Sequence, residues 1–494
     1  MVENKKSSLP LHRQIYEALR AAILKGDYGA RAKLPSTRAL AVQLGVSRMT
    51  VVVAYDQLYA EGYLEGKSGA GTFVAPELPE ELLQTSKNRK LLSPKNSSAT
   101  SPPRLLNLSA HGKWLAETRY PDVLRVERTT NFTPFQHGLP AVDEFPFEIW
   151  SRIAQKLHKN PPRELLGYGE PAGYRPLRVA IAAYLKSARG VNCDAGQVII
   201  TSGAQHALTL AAKVFLDAGD TAWIEDPCYL GAKATLLAVG AKLVPVSVDA
   251  NGFDVQAALA VNKNAKFVYV TPSHQYPLGV TMSLSRRLKL IEWAKQNDAW
   301  IVEDDYNSEY RYGGRPLASL QGLDAGGRVL YIGTLSKTIF PSVRLGCLVV
   351  PPDLADVFAV ARSLGDFHSP LIDQAILAEF ITEGHFARHI RRMRKLYEAR
   401  QQMLVEEARK HLGGLLELRK SDAGMHLVGW LPDGINAEVV AERAAAQKLK
   451  VSPVSAYSFD KNPANGLILG YTSFTEKEIK AGVKKLARIL KAEI

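Results

Sequence analysis

Between Gln197 and Gly346 short apolar runs alternate with stretches of helical spacing, and this alternation restricts the fold more than any other feature of the chain. Val198 to Thr201, Thr221 to Glu225, Leu243 to Val246, Phe267 to Thr271, Trp300 to Asp304 and Val329 to Gly333 read as strands. Each is short, apolar and rich in β-branched or aromatic residues. Ala204 to Phe215 and Ser283 to Asn297 place apolar residues at helical spacing between them. Strands separated by helices return to the sheet by crossovers, so the expected fold class is α/β with a mainly parallel sheet. In such a sheet ligands bind beyond the C-terminal ends of the strands.

The residues that carry chemistry fall at those ends. Lys337 follows a strand in the run Tyr331-Ile-Gly-Thr-Leu-Ser-Lys337, with Thr334, Ser336 and Arg344 close by in sequence. An amine flanked by hydroxyls and a guanidinium suits an aldehyde cofactor that carries a phosphate. Ser202-Gly203-Ala204-Gln205 closes one strand and opens a helix, so its backbone N–H groups can face an anion. Ile301-Val-Glu-Asp-Asp-Tyr306 ends an apolar strand in acids, where Asp304 can keep a pyridine nitrogen protonated and Tyr306 can donate to the ring's phenolic oxygen.

The first 76 residues read differently. Leu11 to Lys25 carries an apolar stripe of Ile15, Ala18, Leu19, Ala22 and Ile23, and Gly26 stops it. Ser36 and Ser47 are placed as N-caps of two further helices, whose inner faces are Leu40, Ala41 and Leu44, then Val51, Ala54, Tyr55 and Leu58. The β-branched run Thr50 to Val53 leaves a strand open there, while the cap before it and Gly62 after it favour a helix. Tyr63 to Glu65 and Thr72 to Val74 flank a glycine-rich turn and predict a hairpin. Two tightly joined helices followed by a hairpin make a winged helix-turn-helix. Its second helix would bring Ser47, Arg48 and Thr50 to the major groove, with Arg38 and Lys67 on the backbone of double-stranded operator DNA.

A net charge of +13 permits such a partner without requiring it. Three scattered cysteines show neither metal-ligand spacing nor a disulfide framework. No run is apolar enough for a signal or a membrane span, so a cytoplasmic chain is expected. Residues 77–127, with Lys87 to Lys90 and the stretch Ser93 to Pro103, read as a flexible linker. Residues 1–76 are then the DNA-binding domain and 128–494 the α/β domain.

Leu34-Pro-Ser-Thr-Arg38, Leu44-Gly-Val-Ser-Arg48, Thr50 and Glu61-Gly-Tyr-Leu64 resemble the winged helix of the GntR family. The larger domain is similar to the fold-type I pyridoxal phosphate aminotransferases. The resemblance rests on the order of the phosphate turn, Asp226-Pro-Cys-Tyr229, Thr271-Pro-Ser-His-Gln-Tyr-Pro-Leu-Gly279, Asp304 and Lys337. It implies pyridoxal 5′-phosphate as cofactor, Lys337 as the internal-aldimine lysine, Asp304 on the ring nitrogen and Tyr306 on the 3′-oxygen. It also implies Tyr229 stacked on the ring, His274 and Tyr276 beside it, and Arg344, Thr334, Ser336 and Ser202 to Gln205 around the phosphate. Tyr168 aligns with a tyrosine that reaches the phosphate of a neighbouring subunit, which implies a homodimer.

Two departures stand out. Tyr276 occupies the slot of the usual ring-side asparagine, and Gly466 to Tyr471 lacks the arginine that in many relatives clamps a substrate carboxylate. Thr-Pro-Ser-His-Gln-aromatic-Pro-x-Gly resembles the MocR subfamily, in which a winged helix is fused to an aminotransferase-like domain. That resemblance implies a transcription regulator sensing a small amine or amino acid through an external aldimine. A working aminotransferase carrying a DNA module, and a sensor of pyridoxal phosphate itself that controls vitamin B6 synthesis, are the alternatives.

Overall fold

Helix α1 (Leu11–Lys25) ends where Gly26 turns left-handed at φ 89° and returns its N–H to Ala22 and Ile23. Its inner face is Ile15, Tyr16, Leu19 and Ile23, all buried. Ala18, expected in the stripe, is exposed, and Tyr16 packs inward instead because the stripe leans one position towards the N-terminus. Helix α2 (Thr37–Leu44) starts on the Ser36 hydroxyl, which accepts from the Ala39 N–H at 3.1 Å. Helix α3 (Arg48–Ala60) starts on Ser47 in the same way, through the Thr50 N–H at 3.1 Å. The helical reading of Thr50 to Val53 holds: Val51, Ala54, Tyr55 and Leu58 are buried along one face of α3. Strands β1 (Leu64–Lys67) and β2 (Gly71–Val74) pair antiparallel, Leu64 opposite Val74, and form the wing.

The computed structural model describes residues 9–67, 71–79, 108–117, 132–314, 318–460 and 464–493. It divides into two units, Met1–Pro102 and Pro103–Ile494. The hairpin tip at 68–70, the Lys67 side chain and the basic and serine-rich stretches between 80 and 107 lie outside the described residues. Within the segment read as a linker, Ala110–Glu117 forms a helix. Among the described residues no helix is long and apolar enough to cross a membrane.

The larger unit is built on an eight-stranded sheet of order β3-β10-β9-β8-β7-β4-β5-β6. Its strands are β3 (Val198–Thr201), β4 (Thr221–Asp226), β5 (Lys242–Asp249), β6 (Gly252–Phe253), β7 (Ala265–Val270), β8 (Trp300–Asp305), β9 (Val329–Thr334) and β10 (Gly346–Val349). The β5-β4-β7-β8-β9 series is parallel throughout. Strand β10, not expected from the sequence, runs antiparallel between β9 and β3. Glycine is required where it enters: a Cβ on Gly346 would lie 2.9 Å from both Gly203 Cα and the Gly333 carbonyl oxygen. Both faces of the sheet are covered. Ile199, Ile224, Val302 and Ile332 pack in one apolar cluster, and Trp223, Val268, Ile301 and Val329 in another. A second, antiparallel sheet of four strands has the order β11-β12-β14-β13, with β11 Glu417–Leu418, β12 His426–Trp430, β13 Ser452–Pro453 and β14 Gly466–Gly470. It is backed by the helices Ala437–Ala446 and Glu476–Lys491, and it turns His426 and Lys450 towards the large sheet.

Candidate active site and nucleic-acid interface

A cavity of about 810 Å³ opens at the C-terminal ends of β3, β4, β7, β8 and β9. Of the residues singled out from sequence, Gly203, Ala204, Gln205, Tyr229, Tyr276, Asp304, Tyr306, Thr334, Ser336, Lys337 and Arg344 line it. Three others do not. Ser202 is tucked behind the turn, its N–H donated to His206 Nδ1 at 3.3 Å. His274 is buried behind Tyr306, with Nδ1 2.8 Å from the phenolic oxygen. Tyr168 is 93% exposed, its ring set edge-on against Phe367, and lies outside the cavity of its own chain.

Lys337 leaves the loop after β9 and donates from Nζ to the Gly138 carbonyl at 2.7 Å. Gly138 adopts φ +77°, and a Cβ there would come within 3.1 Å of Nζ, so the chain makes room for the amine. Asp304, at the end of β8, is buried; Oδ2 accepts from the Tyr269 hydroxyl at 2.6 Å. Its Oδ1 has no hydrogen-bond partner among the described residues. Burial is the main cause that pushes its carboxyl up to about 6, against the lowering effect of the Tyr269 hydrogen bond. A buried carboxylate oxygen without a partner is costly unless a ligand supplies a donor.

The β3 end forms a second feature. Gly203 takes φ +110° and precedes the helix Ala204–Phe215, whose first N–H groups open on the cavity. A Cβ on Gly203 would stand 3.5 Å from the Arg344 guanidinium. Arg344 is exposed and itself left-handed at φ 50°. Gln205 braces the adjoining wall: its amide donates to the Gly231 carbonyl at 3.1 Å and to Thr235, and its oxygen accepts the Tyr229 hydroxyl at 3.2 Å.

Sequence reasoning missed the opposite wall. His137 comes from the segment that leads into the helix Phe147–Lys159, and its Nε2 lies 3.1 Å from the Tyr457 hydroxyl and 3.2 Å from Ser452. Its Nδ1 lies 3.3 Å from the Tyr276 hydroxyl. His426 of β12 donates from Nε2 to the Pro277 carbonyl at 2.8 Å. Burial drives His137 down to about 3 and His426 to about 4, so both imidazoles are neutral. Tyr269, His137, Gly138, His426 and Lys450 carry no local motif; their signal exists only once distant segments converge.

In the smaller unit Arg38, Ser47 and Arg48 are exposed on α2 and at the start of α3. Thr50 is half-buried, its hydroxyl 2.7 Å from that of Ser47. Met49, between them, is 66% exposed. Lys67 lies on β1.

Residues 11–74 match the family of bacterial regulatory proteins called gntR, and residues 141–484 match aminotransferase class I and II. A probable rhizopine catabolism regulatory protein MocR of Rhizobium meliloti is 41% identical over 98% of this chain and 95% of its own length. The chain belongs to the MocR-type regulators. An HTH-type pyridoxine biosynthesis transcriptional regulator, PdxR, of Corynebacterium glutamicum is 32% identical over 94% of this chain and 93% of its own. The kynurenine aminotransferase of Pyrococcus horikoshii, solved in complex with PMP, superposes with a TM-score of 0.71 at 30% identity, covering 78% of this chain and 98% of that one. This MocR-type chain is thus a DNA-binding transcription regulator with an α/β domain of the aminotransferase fold. The fold family implies pyridoxal phosphate, and the cavity fits it: an amine, a buried acid with an open oxygen, and a guanidinium against a glycine-led helix start.

Proposed function

We propose that this regulator holds pyridoxal 5′-phosphate in the cavity and responds to a small primary amine or amino acid that enters beside it. The observation that carries the reading is one cavity lined by Lys337, by Asp304 with its unpartnered oxygen, and by Arg344 over Gly203, in a chain that also bears a winged helix. When bound, the cofactor supplies an aldehyde that condenses reversibly with amines and a ring that withdraws electrons. Lys337 binds its aldehyde carbon, and Asp304 holds a proton on the ring nitrogen. Arg344, Thr334, Ser336 and the N–H groups of Gly203 to Gln205 hold the phosphate. Tyr229 and Tyr276 flank the ring. The Tyr276 hydroxyl and the neutral imidazole of His137, which Tyr457 backs, then face whatever the amine carries.

A regulator needs its ligand to favour one arrangement of the protein over another. The helix Ala355–Asp366 supports a homodimer as the assembly being biased. It exposes Val357, Val360 and Leu364, and Phe367 and Tyr168 continue the apolar patch. On the DNA side, Arg38, Ser47, Arg48, Thr50 and Lys67 are the proposed contacts.

Two findings favour second readings of the same cavity. The aminotransferase relatives raise completed transamination, and the PdxR relative raises a response to the cofactor itself. A panel of amines titrated by visible absorbance into reconstituted protein, alongside operator binding, separates them. A spectral change that alters DNA affinity without keto-acid release is expected. Steady keto-acid release would establish the enzyme, and operator binding that follows cofactor loading alone would establish the cofactor as the signal. In Lys337→Ala the visible band should vanish while circular dichroism is retained; a persistent band removes Lys337 from its role.

A further inference from the structure

Met49 and Val53 of α3 are apolar side chains turned to solvent. Met49 is 66% exposed and Val53 43%, and their spacing sets them on one line of the helix surface. Val51, Ala54, Tyr55 and Leu58 form the opposite, buried line. Among the described residues, neither Met49 nor Val53 joins the apolar cluster built on that buried line. Arg48 stands beside Met49 and is exposed as well, and the first turn carries no acid. Asp56 is the first acid on the outer line, further along the helix.

The hydroxyls at the same helix end are already engaged. Ser47 Oγ accepts the Thr50 N–H at 3.1 Å and lies 2.7 Å from the Thr50 hydroxyl. Whichever of the two hydroxyls donates, one O–H of the pair is spent inside the helix start. The side chain that projects next to Arg48 is a thioether, a weak acceptor with no proton to give. Its match on a base edge is apolar, and in the major groove the apolar group is the C5-methyl of thymine. We propose that Met49, with Val53 a turn behind it, is a specificity-determining contact that reads thymine methyl groups in the operator. An unbranched, flexible side chain adapts to a methyl without demanding one fixed angle. Arg48 and Arg38 border the stripe with positive charge, which suits a polyanion, and a winged helix presents this helix to the groove. Asp56, repelled by phosphate, confines the contact to the first turns of α3.

The inference rests on the placement of α3 in the major groove proposed above. Duplexes selected by the full-length protein from a random pool provide the probe, made again with deoxyuridine replacing thymidine at one position at a time. Uracil keeps every hydrogen-bonding group of thymine and lacks the methyl. At the contacted position wild-type protein should bind about fourfold more weakly, the effect of one buried methyl. Met49→Ala should bind the thymine duplex more weakly and the two duplexes alike, so that the two changes do not add. Met49→Leu, still apolar, should keep the preference. The slope of log affinity against log salt should stay the same in both variants, because no phosphate contact is touched. A site with no position sensitive to deoxyuridine would overturn the proposal. So would a deoxyuridine penalty that persists in full in Met49→Ala, which would assign the preference to duplex shape or another residue and the exposed face to a protein partner. Met49 is exposed, so circular dichroism of its variants should match wild type. If Arg48→Ala and Met49→Ala both leave operator binding intact, the groove placement itself fails; a normal Arg48 effect beside an indifferent Met49 sinks only the methyl contact.

Discussion

Asp304 shows how a residue read from sequence acquires its properties from its surroundings. The acid was marked by its place at the end of an apolar strand, but its ionisation is set by the barrel of side chains around it. Its raised pKa means that the folded state disfavours the carboxylate. The resulting cost is in full force above pH about 6 and disappears below the ordinary value of 3.8. Asp304→Asn should therefore raise the melting temperature of cofactor-free protein at pH 8, an effect of about 3 kcal/mol. The gain should shrink as pH falls through 6, and cofactor affinity should drop in the same variant. Thermal unfolding across that pH range checks it, and a variant no more stable than wild type at pH 8 would count against the buried charge. Lys337, Arg344, Thr334 and the Gly203 turn were legible for a related reason: each sits in a short run whose chemistry is local. Tyr269, whose hydroxyl completes Asp304, was not, because β7 is buried on both faces and every one of its apolar positions reads alike.

The elements of the winged helix were the most legible part of the molecule. Serine caps, left-handed glycines and inward stripes are one- to four-residue signals, and they fixed α1 to α3 and the wing. Ser47 serves the helix as well as the proposed interface, so the two roles separate by measurement. Ser47→Ala should cost about 1 kcal/mol of stability through the lost cap on the Thr50 N–H. Arg48→Ala, exposed and uncapped, should leave stability alone, weaken operator binding and reduce the slope of log affinity against log salt by about one. An unchanged salt slope would remove Arg48 from the phosphate contacts. In the larger unit the elements that escaped notice were those defined by pairing. Gly346 to Val349 is an apolar run without a direction, and only its place between β9 and β3 makes it antiparallel.

At the scale of the molecule, the proposed dimer makes a prediction that no single site makes. Leu364 is 84% exposed on a helix whose inner residue Arg362 is fully buried and bonds His206 and Ser369 behind the Ser202 turn. The same helix therefore joins an apolar outer face to the end of the cavity where the phosphate is proposed to sit. Leu364→Asp should convert the sedimenting species from dimer to single chain and weaken binding to paired half-sites. A dimer that survives this change would place the interface elsewhere. What the sequence determined by itself was the order of parts: a DNA module, an α/β domain, and reactive residues at the ends of strands. Those follow from local periodicity, caps and turns, which need no partner to be read. The tertiary structure alone decided which side chains meet. The cluster of His137, Tyr276 and Tyr457, the Tyr269 hydroxyl on Asp304 and the contact of His274 with Tyr306 all join segments far apart in the chain. Burial and hydrogen-bond direction belong to packed neighbours, and no residue carries them alone.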